Sequence, residues 1–216
     1  MGLNCDICLA YLDDIIVFSH DLSSHMERLE KLFQRLREVN LKLKPSKCHL
    51  LQKSIAFLGY TVSGEGIATD PSKIEAVQNW PTPAHLRHCR AFVGLCQYYR
   101  RFVPNFSAIA GPLHALTKKG AQLVWSAECQ AAFDRLKEVL VSADVLALAD
   151  DGGQFVLDCN ASDRAIGAVS SQIQECKERP ICHASQLYDM HQENYNVTRK
   201  ELLAMVTLLR SIGSTS

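Results

Sequence analysis

At 216 residues and 47% hydrophobic composition, the chain can bury a core and fill one or two domains. Lys and Arg total 23 and so do Asp and Glu, so no global field gathers nucleic acid; any grip on phosphates has to come from local clusters. No signal peptide and no eighteen-residue apolar run is present, which predicts an intracellular protein of cytoplasm or nucleus with no membrane partner.

The amino terminus, Met1 to Asp6, reads as the middle of a domain. Next comes Tyr11-Leu12-Asp13-Asp14, set between the apolar runs Cys8-Leu9-Ala10 and Ile15-Ile16-Val17-Phe18. Such runs read as strands, and Asp between them reads as a tight hairpin turn. The two carboxylates then stand at the tip of a hairpin where a divalent cation can reach them; a solvated Asp-Asp turn fits the same spacing. Ser24-His25-Met26-Glu27 has the form of a capping box. Met26, Leu29, Leu32, Leu36 and Val39 follow on one helical face, which predicts a core helix ending near Asn40 under the hairpin.

A strand is expected over Phe57 to Val62, closed into a hairpin by Gly64-Glu65-Gly66. Asp70-Pro71 opens a helix that stops before Pro81. Thr82-Pro83 repeats the device for a longer helix reaching about Phe102. Ser126 caps another, carrying Ala132, Phe133, Leu136, Val139 and Leu140. Strands are read at Phe155 to Asp158, Gly167 to Val169 and Pro180 to Ala184, and a final helix from Thr198 to Leu209. There are no internal repeats.

Nine cysteines are scattered without a disulfide or zinc framework, Cys5-x-x-Cys8 being the only close pair, a usage that suits a reducing compartment. Charge is locally uneven. Residues 28 to 53 carry eight Lys/Arg (Arg28, Lys31, Arg35, Arg37, Lys42, Lys44, Lys47, Lys53) against Glu30 and Glu38. Residues 70 to 120 carry seven (Lys73, Arg87, Arg90, Arg100, Arg101, Lys118, Lys119) against Asp70 and Glu75. Either cluster can grip phosphates or simply form a solvated helix face.

Tyr11-Leu12-Asp13-Asp14-Ile15-Ile16-Val17-Phe18-Ser19 resembles the Tyr-x-Asp-Asp box of reverse transcriptases from gypsy-class long-terminal-repeat retrotransposons. Leu41-Lys42-Leu43-Lys44-Pro45-Ser46-Lys47-Cys48 and Phe57-Leu58-Gly59-Tyr60 resemble the next two blocks of that polymerase. They are followed by Asn79-Trp80-Pro81-Thr82-Pro83, then by Tyr98-Tyr99-Arg100-Arg101-Phe102-Val103-Pro104-Asn105-Phe106-Ser107. Asp158-Cys159-Asn160-Ala161-Ser162-Asp163 with Ile166-Gly167-Ala168-Val169, and Thr198-Arg199-Lys200-Glu201-Leu202-Leu203-Ala204, resemble the first half of the ribonuclease H domain. The blocks keep the family's order across almost the whole chain.

The resemblance implies an α+β fold: a partial reverse-transcriptase palm (1–66), a helical thumb (67–116), a tether helix (117–152) and a truncated ribonuclease-H-like α/β domain (153–216). Nucleotidyl transfer uses two metal ions about 3.5–4 Å apart. Of the family's three metal-binding carboxylates, two match Asp13 and Asp14; the third is expected on an earlier strand outside this chain, together with the fingers. The implied cofactor is Mg²⁺, or Mn²⁺. Tyr11 would pack near the primer end and Lys47 near the incoming triphosphate, although a strand aromatic and a loop lysine account for them equally. Phe57, Leu58, Gly59 and Tyr60 match the primer grip, with Phe57 and Leu58 also suited to core. Arg87, Arg90 and Arg101 fall on one side of the long helix and are candidate phosphate contacts; Tyr98 and Tyr99 suit base stacking or helix packing.

In the nuclease part Glu201 matches a metal-binding acid, and Thr198-x-x-Glu201 is also a capping box. Asn160 stands where the family has its first Asp, and a neutral amide holds a hard divalent ion far more weakly than a carboxylate. Asp158 and Asp163 are the nearby acids open to compensate, and the later acids of the family are expected beyond Ser216. The implied function is that of a fragment of an RNA-directed DNA polymerase and ribonuclease H, inactive as this isolated chain. Its partners would be an RNA/DNA template-primer or hybrid and the remainder of a polyprotein. The alternative is a non-catalytic nucleic-acid-binding or interaction remnant.

Overall fold

The structure, a computed structural model, describes residues 7–118, 120, 122–162 and 164–213. The expectations that fall on Met1 to Asp6, Lys119 and Asp163 lie outside the described residues. The chain divides into two compact units, 1–58 and 59–216.

In the first unit β1 (Cys8–Tyr11) and β2 (Asp14–Val17) form an antiparallel hairpin with Cys8 opposite Val17 and Tyr11 opposite Asp14. Its turn is Leu12-Asp13, as the acid-bearing break between two apolar runs predicts. Helix α1 (Leu22–Glu38) packs on β2 and buries Leu29, Leu32 and Leu36. Met26 and Val39, expected on that stripe, are exposed instead. The cap is Asp21, whose carboxylate accepts from Ser24 N at 2.9 Å. Ser24 therefore sits inside the first turn, with its hydroxyl donating to the Asp21 carboxylate at 2.8 Å. Asn40, at φ 57°, ends the helical path. A 3-10 turn over Pro45–Lys47 and strand β3 (Ser54–Phe57) complete this unit.

The second unit opens with the hairpin β4 (Tyr60–Ser63) and β5 (Gly66–Thr69), turned at Gly64-Glu65. The single strand expected over Phe57 to Val62 is interrupted, because Leu58 and Gly59 take φ values of 48° and 70°, which no extended strand holds. Helix α2 (Pro71–Gln78) starts as the Asp-Pro pair predicts, Asp70 accepting from Ser72 N at 2.9 Å. Helix α3 (Leu86–Tyr98) begins later than Thr82-Pro83 suggests and ends earlier than Phe102. Residues Arg100–Phe102 form a separate 3-10 turn.

Helix α4 (Phe106–Thr117), not foreseen from the sequence, holds Pro112 in its interior and starts at Asn105 in the left-handed region. Helix α5 (Ala127–Val141) is capped by Ser126. The stretch expected as a tether thus supplies a helix packed on α2 and α4. Val77, Phe92, Cys96, Tyr99, Leu113, Phe133, Leu136 and Leu140 make one apolar core from α2 to α5. At 25 cal/mol per Å² each such side chain contributes roughly 1.5–3 kcal/mol.

Strands β6 (Phe155–Ala161), β7 (Ala165–Gln174) and β8 (Lys177–Leu187) form an antiparallel sheet in the order 6-7-8. All three run longer than the sequence suggests. Helix α6 (Val197–Gly213) packs on it through Leu203 and Ala204, against Leu157, Cys159, Ala161 and Ile166. Its first free amide is met by Asn196, whose side chain accepts from Arg199 N at 2.9 Å. That replaces the capping box read at Thr198. Among the described residues no helix is long and apolar enough to cross a membrane, and all eight described cysteines are free thiols.

Candidate functional site

The hairpin of the first unit places two carboxylates side by side at its tip. The two-residue turn fixes Asp13 in the loop, and the Tyr11–Asp14 pairing makes Asp14 the first strand residue. Leu12, between them and Tyr11, takes φ 51° and is 90% exposed. A leucine in that region is strained, and such strain is sustained only where surrounding pairing over-determines the turn. Asp13, Asp14 and Tyr11 are all exposed. The far end of β2 is held to α1: Arg28 donates to the Phe18 carbonyl and lies over the Phe18 ring. Ser19 Oγ and His25 Nδ1 share a hydrogen bond of 2.8 Å. Lys47 is exposed on its 3-10 turn.

Oxygen donors are what a hard divalent ion takes, and Mg²⁺ is held through one or two carboxylates plus substrate phosphates. The Asp13–Asp14 pair fits that donor set. The nuclease residues do not. Register pairs Asn160 with Gly167, and alternation sends Asn160 and Asp158 to the sheet face opposite Leu157, Cys159 and Ala161, the residues that α6 covers. Strand β6 and α6 pack together, yet Asn160 leaves from the far side, while Glu201 is exposed on α6. Among the described residues no three His, Cys, Asp or Glu side chains gather as metal ligands.

Phe57 and Leu58 are half-buried, as are Gly59 and Tyr60. Within the second unit Gly59 lies under Tyr98, its added Cβ falling 3.4 Å from the Tyr98 ring, and its carbonyl accepts from Tyr99 Oη at 2.6 Å. Tyr60 stacks on Tyr98 at 5.1 Å between ring centres and meets Tyr99 edge-on. Burial raises the Tyr60 phenol well above its ordinary range and pushes Tyr99 up to about 12, so both stay protonated donors. Tyr99 is wholly buried, whereas Tyr98 is 46% exposed. The core reading therefore holds for Tyr99; Tyr98 presents an open flank.

Helix α3 buries Cys89, Phe92, Val93 and Cys96 and turns Arg87 and Arg90 to solvent. Arg90, Gly94 and Tyr98, at four-residue spacing, share one exposed strip, and nothing lies within 4 Å of a Cβ on Gly94. Sequence reading had both arginines but passed over Gly94, although the spacing carries the signal. Arg101 departs from the expected arc. The helix ends before it, and a 3-10 turn advances three residues per turn rather than 3.6, which moves its phase. Its Nε is buried without a hydrogen-bond partner, and its charge bears on Tyr60 and on Cys182 of β8.

Two family models match the chain. Residues 4–62 match the model of the reverse transcriptase (RNA-dependent DNA polymerase) family, and residues 125–214 match that of the RNase H-like domain found in reverse transcriptase. The chain is 40% identical over 200 residues to the retrovirus-related Pol polyprotein from transposon 297 of Drosophila melanogaster, covering 92% of this chain and 18% of that protein. It is 34% identical to the corresponding polyprotein from transposon opus of the same species, covering 95% and 22%. It is 33% identical to the transposon Tf2-3 polyprotein of Schizosaccharomyces pombe, covering 94% and 15%. The chain thus spans about a fifth, or less, of these relatives. Among solved structures, the foamy viral protease-reverse transcriptase dRH in complex with double-stranded DNA superposes with a TM-score of 0.85 at 27% identity, over 95% of this chain and 37% of that one. The same viral enzyme with an RNA/DNA hybrid gives 0.83 at 27% identity, over 94% and 28%.

Proposed function

The chain belongs to the reverse transcriptase and ribonuclease H segment of gypsy-class retrotransposon polyproteins, and from that premise we propose that it grips a template-primer duplex and carries two of the polymerase acids. The observation that carries this reading is the Leu12-Asp13 turn, which holds two exposed carboxylates at the tip of a strained hairpin. Mg²⁺ bound there would stabilise charge on the phosphate oxygens of nucleotidyl transfer. Asp13 and Asp14 would hold the ion, Tyr11 would bound the site on the strand side, and Lys47 is the candidate contact for a triphosphate. Phe57, Leu58, Gly59 and Tyr60 would grip the primer strand.

On the thumb, the open strip of Arg90, Gly94 and Tyr98 suits a nucleic-acid groove: guanidinium to phosphate, bare backbone against sugar, aromatic edge against a base. Arg87 adds a second phosphate contact. Arg101 is better suited to bracing Tyr60 than to meeting a phosphate. The related viral enzymes bound to DNA and to a hybrid support duplexes as the partner class. The cysteine usage supports cytoplasm or nucleus.

The 216-residue polypeptide alone turns over neither reaction in this reading. Polymerisation in the family is expected to need a third carboxylate, and Asn160 replaces the first acid of the nuclease. A non-catalytic duplex binder is therefore the activity of the isolated chain. Equilibrium binding of a labelled hybrid across a salt series is the test, with primer extension and hybrid cleavage in Mg²⁺ alongside. Two to four phosphate contacts give a log–log salt slope of about −2 to −4, with no sequence preference and no product. Affinity indifferent to salt overturns the grip; extension lost on Asp14→Asn, or cleavage lost on Glu201→Gln, overturns the inactivity.

A further inference from the structure

Within the second unit the helices and the RNase H-like sheet meet along one face of that sheet. Ladder register sets two rows across it, Asp158–Val169–His183 and Asn160–Gly167–Ser185, and residues opposite one another project to the same side. That side is the one α6 does not cover. The amino terminus of α4 is seated on it. Ser107 N donates to Ser185 Oγ at 2.8 Å, and Ser107 Oγ donates to the Ser185 carbonyl at 2.8 Å. Asn105 approaches Gly167 so closely that a Cβ there would fall 1.9 Å from Asn105 Oδ1. Farther along, Ala147 N donates to the Pro180 carbonyl at 2.7 Å, and Arg179 Nη2 donates to the Glu65 carbonyl at 2.5 Å.

We infer that the RNase H-like sheet of this chain is an intramolecular brace for the thumb. Helix α4 is seated on Gly167 and Ser185, the β7 and β8 members of the row that begins at the exposed Asn160, the position the family resemblance would give to a nuclease metal site. A flexible connection crosses few contacts. Here backbone and side-chain bonds tie the sheet to α4, to the segment after α5 and to the β4–β5 turn, and Gly167 is required because any side chain would displace Asn105. The brace fixes the pose of α3 and its Arg90–Gly94–Tyr98 strip; the consequence for duplex binding rests on the function proposed above, the brace itself does not.

Both tryptophans, Trp80 and Trp125, pack against the helical core, so tryptophan fluorescence of the 216-residue chain reports the melting of that α2–α5 core. Gly167→Ala, on the sheet, is expected to lower that midpoint by about 3 °C or more. Gly152→Ala, with nothing within 4 Å, leaves it unchanged. Asn105→Gly, which tolerates the left-handed backbone and removes the colliding amide, restores the midpoint in the Gly167→Ala background. Should Gly167→Ala not fold, Ser107→Ala and Ser185→Ala decide: each removes a different bond across the junction, so each lowers the midpoint and the double variant lowers it further than either. An unmoved midpoint in Gly167→Ala, no rescue by Asn105→Gly, or serine variants that leave the midpoint where it was overturns the brace. A wild-type chain that binds no duplex overturns the proposed grip instead, since the melting readout contains no nucleic acid.

Discussion

The two units differ in what they bury. The first hides Cys8, Ile16, Leu29, Leu32 and Leu36 and leaves Leu9, Tyr11, Leu12, Ile15 and Phe18 of the hairpin exposed. The second hides eighteen residues in one continuous cluster from α2 to the segment after α5. Stability rises with apolar area removed from water, so the unit holding the carboxylates is the weakly held one. The proposed two-acid site at the strained turn is carried on a thin core, while the helices of the proposed duplex grip sit on a deep one. Local stability in a protein is uneven in this way, and functional loops are drawn from its low end.

Core truncation is the strongest way to break the contrast. Phe133 is buried against Phe92 and Trp125 at 4.5 and 5.9 Å between ring centres. Phe133→Ala is expected to destabilise the second unit by about 3–5 kcal/mol, and Leu32→Ala the first by about 2 kcal/mol. Denaturant unfolding followed by tryptophan fluorescence checks this, since it should register the first substitution in full and the second hardly at all. Equal shifts would mean that the two units share one cooperative core.

Helix capping gives a smaller lever on the same contrast. Ser126 accepts from Cys129 N at 3.3 Å at the start of α5, and Ser126→Ala is expected to cost about 1 kcal/mol of the tryptophan-monitored transition. Asp21→Ala, which removes the cap of α1, should leave that transition in place while reducing helical signal at lower denaturant. A tryptophan shift on Asp21→Ala would show that α1 melts together with the α2–α5 core.

Legibility follows from how local the signal is. The hairpin turn, the Asp70-Pro71 start and the Ser126 cap could be read because each is fixed within four residues, and of the α1 stripe the inner Leu29, Leu32 and Leu36 were legible from their three- and four-residue spacing. Caps were misplaced where two candidates compete: Ser24 against Asp21, three residues apart and hydrogen-bonded to each other, and Thr198 against Asn196. Helix α4 was hidden by Pro112 and by a start at Asn105 whose side chain caps nothing within the helix and is turned to Gly167. The break at Leu58 was hidden because leucine rarely takes positive φ. At the site, Asp13 and Asp14 were readable from their flanks. The seat of α4 on the sheet was not, because it pairs Ser107 with Ser185, seventy-eight residues apart, and no local pattern announces such a contact.

The smallest expected effect is a pH dependence located in the second unit. His183 of β8 lines a cavity of about 250 Å³ with Phe102, Pro104, Ile109, Arg135 and Asp144. Burial lowers its pKa below the ordinary 6.5, and the Asp144 charge opposes that shift without cancelling it. A histidine with a depressed folded pKa binds fewer protons folded than unfolded. Stability therefore rises with pH between the folded pKa and 6.5, and is lost as the pH falls below 6.5 toward the folded value. The tryptophan midpoint should decline modestly on acidification through that window. His114 of α4, lowered by burial as well, contributes in the same direction, so His183→Gln should weaken the decline without removing it. A decline confined to the first unit, or a full decline in the His183→Gln, His114→Gln double variant, would move the pH-sensitive contact away from the sheet–thumb junction.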